Sequence, residues 1–306
     1  FTRSDETGLF NCWYSNDTYL ANTSLTTNCN NITAVVWSEG QHNVTIWAND
    51  TSGNANNSKI SFTIDTINPN INITFPINNT NTTNVNLDVN YTASDANLFN
   101  CWYSNDTYLA NTSLTDCGTN ITTMVWSEGQ HNVTVWANDT AGNINNSKIS
   151  FRIDTSIDIS IVSPTNLTHN SNAGLDVNYT VSDKIALDSC WYSNDTYLVN
   201  TTLTDCGTNI TTMVWNEGQH NVTIWANDTL GNVNNSKITF TIDTSNPDIN
   251  ITFPINNTNT INVNLDVNYT ASDDGTGLFN CWYTNDTMLV NTSLTDCGTN
   301  ITTVVW

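Results

Sequence analysis

This sequence predicts an all-β chain of tandem sandwich repeats, each about 90 residues long. Near-identical passages return at a fixed spacing, and within one spacing the apolar residues alternate with period two. The passage "NCWYSNDTYLANTSLTDC" begins at Asn100, with close copies from Asn11 and Asn280 and a fourth from Ser189. Cys12, Cys101, Cys190 and Cys281 lie about 89 to 91 residues apart, as do Trp47, Trp136 and Trp225. The spacing divides the 306 residues into units 1–65, 66–154, 155–243 and 244–306. Phe1 to Trp37 matches Tyr269 to Trp306, so the first unit is expected to lack its opening strands and the last its closing ones. The expected whole is a window on a longer array, in which strands donated by another chain could complete the cut units.

Within unit 66–154, "VNLDVNYTA" places Val85, Leu87, Val89 and Tyr91 on one face and Asn86, Asp88, Asn90 and Thr92 on the other. "HNVTVWAND" and "SKISFRID" follow the same rule, with Val133, Val135, Ala137, Ile149, Phe151 and Ile153 inward. "NDTAGNINN" between them supplies the Asn and Gly of a hairpin turn. With "INITF", "LFNCWYS", "TYLANTS" and "ITTMVW" the unit reaches about seven short strands and shows no helical periodicity. Seven strands in this span fit an immunoglobulin-like β-sandwich.

Charge excludes one class of function. Six Lys and Arg stand against 28 Asp and Glu, a net charge of −22. Such a surface repels nucleic acid and anionic lipid, whose binding needs cations on the protein. No apolar run is long enough for direct membrane insertion. Catalysis has little support either. His42, His131 and His220 are repeat-equivalent members of "EGQHN", His169 is isolated, and no nucleophile motif or phosphate loop occurs.

"EGQHNVTVWANDTAGNINNSKISFRIDT", repeated from Glu39 and Glu217, resembles the last two strands of Ig-like repeats in prokaryotic surface proteins. Cys-Trp-Tyr-Ser followed by a second Cys resembles a version found in archaeal extracellular repeat proteins. The resemblance implies the fold and an extracellular, cell-surface location. It leaves the task open, because such repeats serve in stalks, adhesins, coats and filaments.

The eight cysteines form four pairs, Cys12 with Cys29, Cys101 with Cys117, Cys190 with Cys206 and Cys281 with Cys297. Every unit keeps both members, which favours disulfides inside units and an oxidising compartment. The competing reading, a thiolate metal site, finds no Cys-x-x-Cys or adjacent His. About thirty Asn-x-Ser/Thr sequons mark candidate N-glycosylation sites. They include Asn16, Asn22, Asn31, Asn43 and Asn49; Asn90, Asn105, Asn111, Asn120, Asn132, Asn138 and Asn145; Asn178, Asn194, Asn200, Asn209, Asn221 and Asn227; and Asn268, Asn285, Asn291 and Asn300. Strand phase puts Asn90 with Thr92, and Asn132 with Thr134, on outward faces. The alternative is compositional, since a chain rich in Asn and Thr generates sequons by chance.

Trp13, Trp47, Trp102, Trp136, Trp191 and Trp225 fall out of phase with the inward residues and are candidates for an interface or a sugar-stacking face. A bulge that shifts the phase would instead make them core. No cofactor is required, but Asp65, Asp95 and Asp139 at one junction, and Asp154, Asp183 and Asp228 at the next, are candidate calcium ligands. The same "SD" and "NDT" segments are also ordinary turn sequences. The expected function is an extracellular glycosylated array that self-associates into a filament, sheath or surface layer. The alternatives are an adhesin stalk and a glycan-binding module.

Overall fold

An extended backbone presents successive side chains to opposite faces, so period-two sequences fold as sheets with one face inward. The computed structural model describes residues 8–17, 22–25, 29–33, 35–106, 111–195, 200–211, 213–285 and 290–302, and every regular element among them is a β-strand. Residues before 66 form β1 (Leu9–Asn16), β2 (Thr23–Leu25), β3 (Gly40–Asp50) and β4 (Ala55–Ile64). Residues 66–154 form β5 (Asn70–Phe75), β6 (Thr80–Thr82), β7 (Asn90–Ser94), β8 (Leu98–Asn105), β9 (Thr112–Ser113), β10 (Gly129–Asp139) and β11 (Ile144–Ile153). Residues 155–243 repeat that set as β12 (Asp158–Ser163), β13 (Thr168–Asn170), β14 (Asn178–Ser182), β15 (Leu187–Asn194), β16 (Thr201–Thr202), β17 (Gly218–Asp228) and β18 (Val233–Ile242). The last residues carry β19 (Asp248–Phe253), β20 (Asn268–Ser272), β21 (Trp282–Tyr283) and β22 (Thr292–Ser293). By packing, the chain parts into two compact units, residues 1–80, 86–126 and 130–151 in one and 81–85, 127–129 and 152–306 in the other.

The repeat 155–243 shows how the core is made. One layer is the five-stranded sheet β13-β18-β17-β15-β16, and the other is the antiparallel pair β12-β14. An isolated bridge between Val177 and Ile210 adds a further segment to the second layer. Val177, Tyr179, Ile210, Trp215, Val222, Ile224, Ile238, Phe240 and Ile242 close the space between the layers. Cys190 packs with Ile157 and Ala226 in a second buried cluster, and its disulfide to Cys206 ties β15 to the segment that follows β16. The same bond joins Cys12 to Cys29, Cys101 to Cys117 and Cys281 to Cys297. Closing a loop of 16 residues contributes about 3 kcal/mol by the chain-entropy argument.

The fold departs from the sequence expectation in several places. β13 pairs in parallel with β18, Thr168 opposite Phe240, and this short strand has no alternation to announce it. Leu87 and Val89 are buried as their alternation requires, yet regular pairing starts only at Asn90, and Val89 joins the sheet through a single bridge to Ile121. In "ITTMVW" pairing stops at that bridge, and Trp126 turns inward so that its Nε1 donates to Leu87 O at 2.8 Å. Of "TYLANTS", Thr107–Ala110 lie outside the described residues, while Thr112 and Ser113 form β9. In the last repeat Ile249 and Ile251 are 67% and 63% exposed, whereas the equivalent Ile71 and Ile73 are 7% and 8% exposed.

Trp215 anchors its repeat in the same way as Trp126. Its Nε1 donates to Leu175 O at 2.8 Å, and its ring meets Phe240 edge-on with centroids 5.0 Å apart. A Trp215→Phe substitution keeps an aromatic ring but leaves the Leu175 carbonyl without its donor, at a cost of about 1–3 kcal/mol. The melting midpoint of that repeat falls by roughly 5 °C or more, read by calorimetry against the unchanged transitions of the other repeats. A wild-type midpoint would refute the anchoring role.

Candidate functional sites

The junction between successive repeats gathers the first candidate site. A linker Asp, an Asp after the second antiparallel strand and an Asp ending the long hairpin strand meet at each of two junctions: Asp65 with Asp95 and Asp139, and Asp154 with Asp183 and Asp228. Within each set, one carboxylate oxygen per residue lies within 4.8 Å of the others. Asp139 and Asp228 are fixed by their own turns. Asp139 Oδ1 accepts the N–H groups of Gly142 and Asn143 at 2.7 and 2.8 Å, and Oδ2 accepts Asn143 Nδ2 at 2.8 Å. Asp228 does the same with Leu230, Asn232 and Asn232 Nδ2. Gly142 and Gly231 close these hairpins at φ of 96° and 90°, where a side chain would be strained.

The linkers are held from both sides. Asn143 Nδ2 donates to Asp65 O at 2.9 Å, and Asn232 Nδ2 donates to Asp154 O at the same distance, so the hairpin of the following repeat grips the linker backbone. From the preceding repeat, Glu39 accepts Thr66 N and Oγ1, Glu128 accepts Thr155 N and Oγ1, and Glu217 accepts Thr244 N and Oγ1. These Glu and Asn residues escaped sequence reasoning. Their signal is a constant offset, because each Glu precedes its Thr by 27 residues.

The linker carboxylates differ. Asp65 Oδ2 accepts Asn97 Nδ2 at 3.0 Å. Asp243 Oδ2 accepts Thr276 N and Oγ1, both at 2.7 Å; these bonds, with those from Ser245, hold its carboxyl down at about 2. Asp154 is fully buried, and neither of its carboxylate oxygens meets a donor. Burial first, and then the charges of Asp183 and Glu128, push its carboxyl up to about 6.

The six candidate Trp residues form three pairs across directly opposed strand positions. Trp13 with Trp47, Trp102 with Trp136 and Trp191 with Trp225 stack at 6.4, 6.3 and 6.4 Å with interplanar angles of 6°, 6° and 4°. All six are half-buried. Thr134 stands on the same strand face as Trp136 but is only 3% exposed, so the outward phase expected for Asn132 and Thr134 does not mean free access to solvent. Ser104, directly opposite Thr134, is also buried, because residues two apart on one sheet face lie within reach of large aromatic neighbours. Asn132 is half-buried and its Oδ1 accepts Ser150 Oγ at 2.7 Å. Asn43 and Asn221 make the equivalent bond to Ser61 and Thr239. Asn16, Asn22, Asn31, Asn111, Asn200, Asn209, Asn285, Asn291 and Asn300 stand exposed.

Comparison with known proteins adds the following. No family model and no curated protein matches the chain. The described residues form tandem β-sandwich repeats. Among solved structures the chain is similar to a tetra-tandem repeat in the extending region of a large adhesion protein, at 16% identity and a TM-score of 0.37, over 85% of this chain and 73% of that one. A structure from a 1.5-MDa bacterial ice-binding adhesin matches at 13% identity and a TM-score of 0.29, over 77% and 86%. Cadherin domains 3–6 of protocadherin gamma B2 match at 13% and 0.34, over 71% of this chain and 60% of that one. Among the described residues no helix is long and apolar enough to cross a membrane.

Three of the four histidines are positioned by a repeated contact with an Asp. His42 Nδ1 lies 3.0 Å from Asp17 Oδ2, and its Nε2 lies 2.7 Å from Ser38 O. Asp106 with His131, and Asp195 with His220, repeat the contact at 2.9 and 3.1 Å. A neutral imidazole has one N–H, so the imidazolium alone donates to both acceptors of His42. The Ser38 carbonyl, and then Asp17, hold His42 above the ordinary imidazole value of 6.5. Asp17 is held below the ordinary carboxylate range, first by His42 and then by the Asn43 N–H. Stability from the raised His42 is complete below 6.5 and is lost as pH rises through the folded value. Stability from the lowered Asp17 is complete above the ordinary carboxylate value and is lost as pH falls through the folded one. An NMR titration of the His42 ring therefore gives a midpoint above 6.5, and Asp17→Asn brings it down. A midpoint at or below 6.5 would contradict the double-acceptor arrangement.

Proposed function

We propose that this chain is a spacer segment of an extracellular surface protein, a non-enzymatic stalk that transmits force between a cell and whatever lies beyond it. The observation that carries this reading is the linker, bound to the Glu of the repeat before it and the Asn of the repeat after it at two successive junctions. A connection held from both sides resists bending in a way that a free linker does not. The disulfides support an oxidising, extracellular setting. N-linked sugars on the exposed sequon Asn residues belong to the same proposal, as they would shield a protein whose surface carries few cations. So does divalent cation binding at a repeat junction, calcium in particular, since hard oxygen ligands converge there. A surface filament is the second reading. It is favoured by the half-buried Trp pair recurring in three repeats, which would offer the same lateral contact at each repeat interval.

Single-molecule stretching tests the spacer. Pulled between its ends, the chain gives separate unfolding steps for its repeats. Each loop of 16 residues closed by a disulfide stays hidden until the bond is reduced. Reduction lengthens a step by about 55 Å, from roughly 3.3–3.6 Å per residue. Featureless extension, or steps indifferent to reductant, would remove the load-bearing reading. Antibody to residues 66–243 labels intact source cells if the segment is displayed, and no labelling would refute the location.

A further inference from the structure

Three linker carboxylates follow the last strands of their repeats, and the donors that meet them differ. Asp65 receives the Asn97 amide, and Asp243 receives the Thr276 N–H and hydroxyl. At the middle junction the residue in the place of Asn97 is Ala186. The correspondence is set by the hairpin, because Thr140 N donates to Asn97 O and Thr229 N donates to Ala186 O. Ala186 has no polar side chain to offer. Asp154 is 0% exposed with both Oδ1 and Oδ2 unpartnered, and Asp183 Oδ1 beside it is also buried and unpartnered. The nearby cation does not serve them, as Lys184 Nζ lies against Glu128 Oε1 at 3.3 Å. Glu128 Oε2 is meanwhile taken by the Thr155 N–H and hydroxyl.

A buried carboxylate without a donor is costly unless an opposite charge meets it. Asp183 and Asp228 bring further carboxylate oxygens within 4.8 Å, which suits a cation seated 2.3–2.6 Å from each. An ammonium or guanidinium would have to come from the protein, and calcium accepts an irregular shell of carboxylate and carbonyl oxygens. We infer that the junction of Asp154, Asp183 and Asp228 is a calcium site, and that Asn97 and Thr276 make the neighbouring junctions independent of calcium. This rests on the spacer reading only for its use, which is to make one joint of the segment respond to the calcium outside the cell.

The test is calorimetric titration of the full chain with calcium chloride after chelator treatment, with circular dichroism to establish folding. The expected stoichiometry is one calcium per chain, abolished by Asp154→Asn and also by Ala186→Asn, which supplies the amide found at the Asp65 junction. Asn97→Ala, which strips that amide away, raises the stoichiometry to two. A folded wild-type chain that binds no calcium overturns the site while leaving the stretching behaviour of the spacer as it was. Two calcium ions in the wild type, one of them surviving Asp154→Asn, overturn the selectivity and leave junction binding in place. Failure of Ala186→Asn to weaken binding removes the explanation through the missing amide, whatever the count.

Discussion

Each repeat ends in an Asp that follows its last strand, fully buried at Asp154 and half-buried at Asp65 and Asp243. The backbone there leaves one sandwich and enters the next, so its carbonyl and carboxylate need partners that water supplies poorly. Asn143 and Asn232 answer for the carbonyls of Asp65 and Asp154, and Glu39, Glu128 and Glu217 answer for the Thr N–H that follows each Asp. These bonds use side chains from both sides of the linker. The requirement that buried polar groups be paired therefore turns a covalent connection into a mechanical one. The carboxylate is the remaining variable, and it is answered by an amide at one junction, by Thr276 at another and by no protein donor at Asp154.

This economy explains why the repeat could be read as a sandwich while the bonds that hold its joints could not. Alternation depends on hydrophobic burial, and it located β10, β11, β17 and β18 together with Val133, Val135, Phe151 and Ile153, all at most 1% exposed. The expected sandwich topology likewise located both Asp clusters, because the linker entering a repeat lies near the loops that carry the other two Asp residues. The short strands β6 and β13 carry no such pattern, since three residues are too few to establish a period. Thr134 shows a second limit. Phase states which face a side chain occupies, but the burial of that face depends on the large neighbours Trp102 and Trp136, which no single strand reveals.

The sharpest difference between junctions was visible in the sequence but had no meaning there. "SDANLF" and "SDKIALD" differ by an inserted residue and at several positions, among them Ala186 in the place of Asn97, changes that look neutral in an exposed turn. Their consequence appears only when the linker Asp, 32 residues before Asn97, is brought against that turn. A substitution at an exposed position thereby decides the state of a buried carboxylate. In a repeat array this is an economical way to vary the joints, because the core residues and disulfide of each sandwich stay untouched. Two neighbouring sandwiches can then share one architecture and still differ in what they need from the solution.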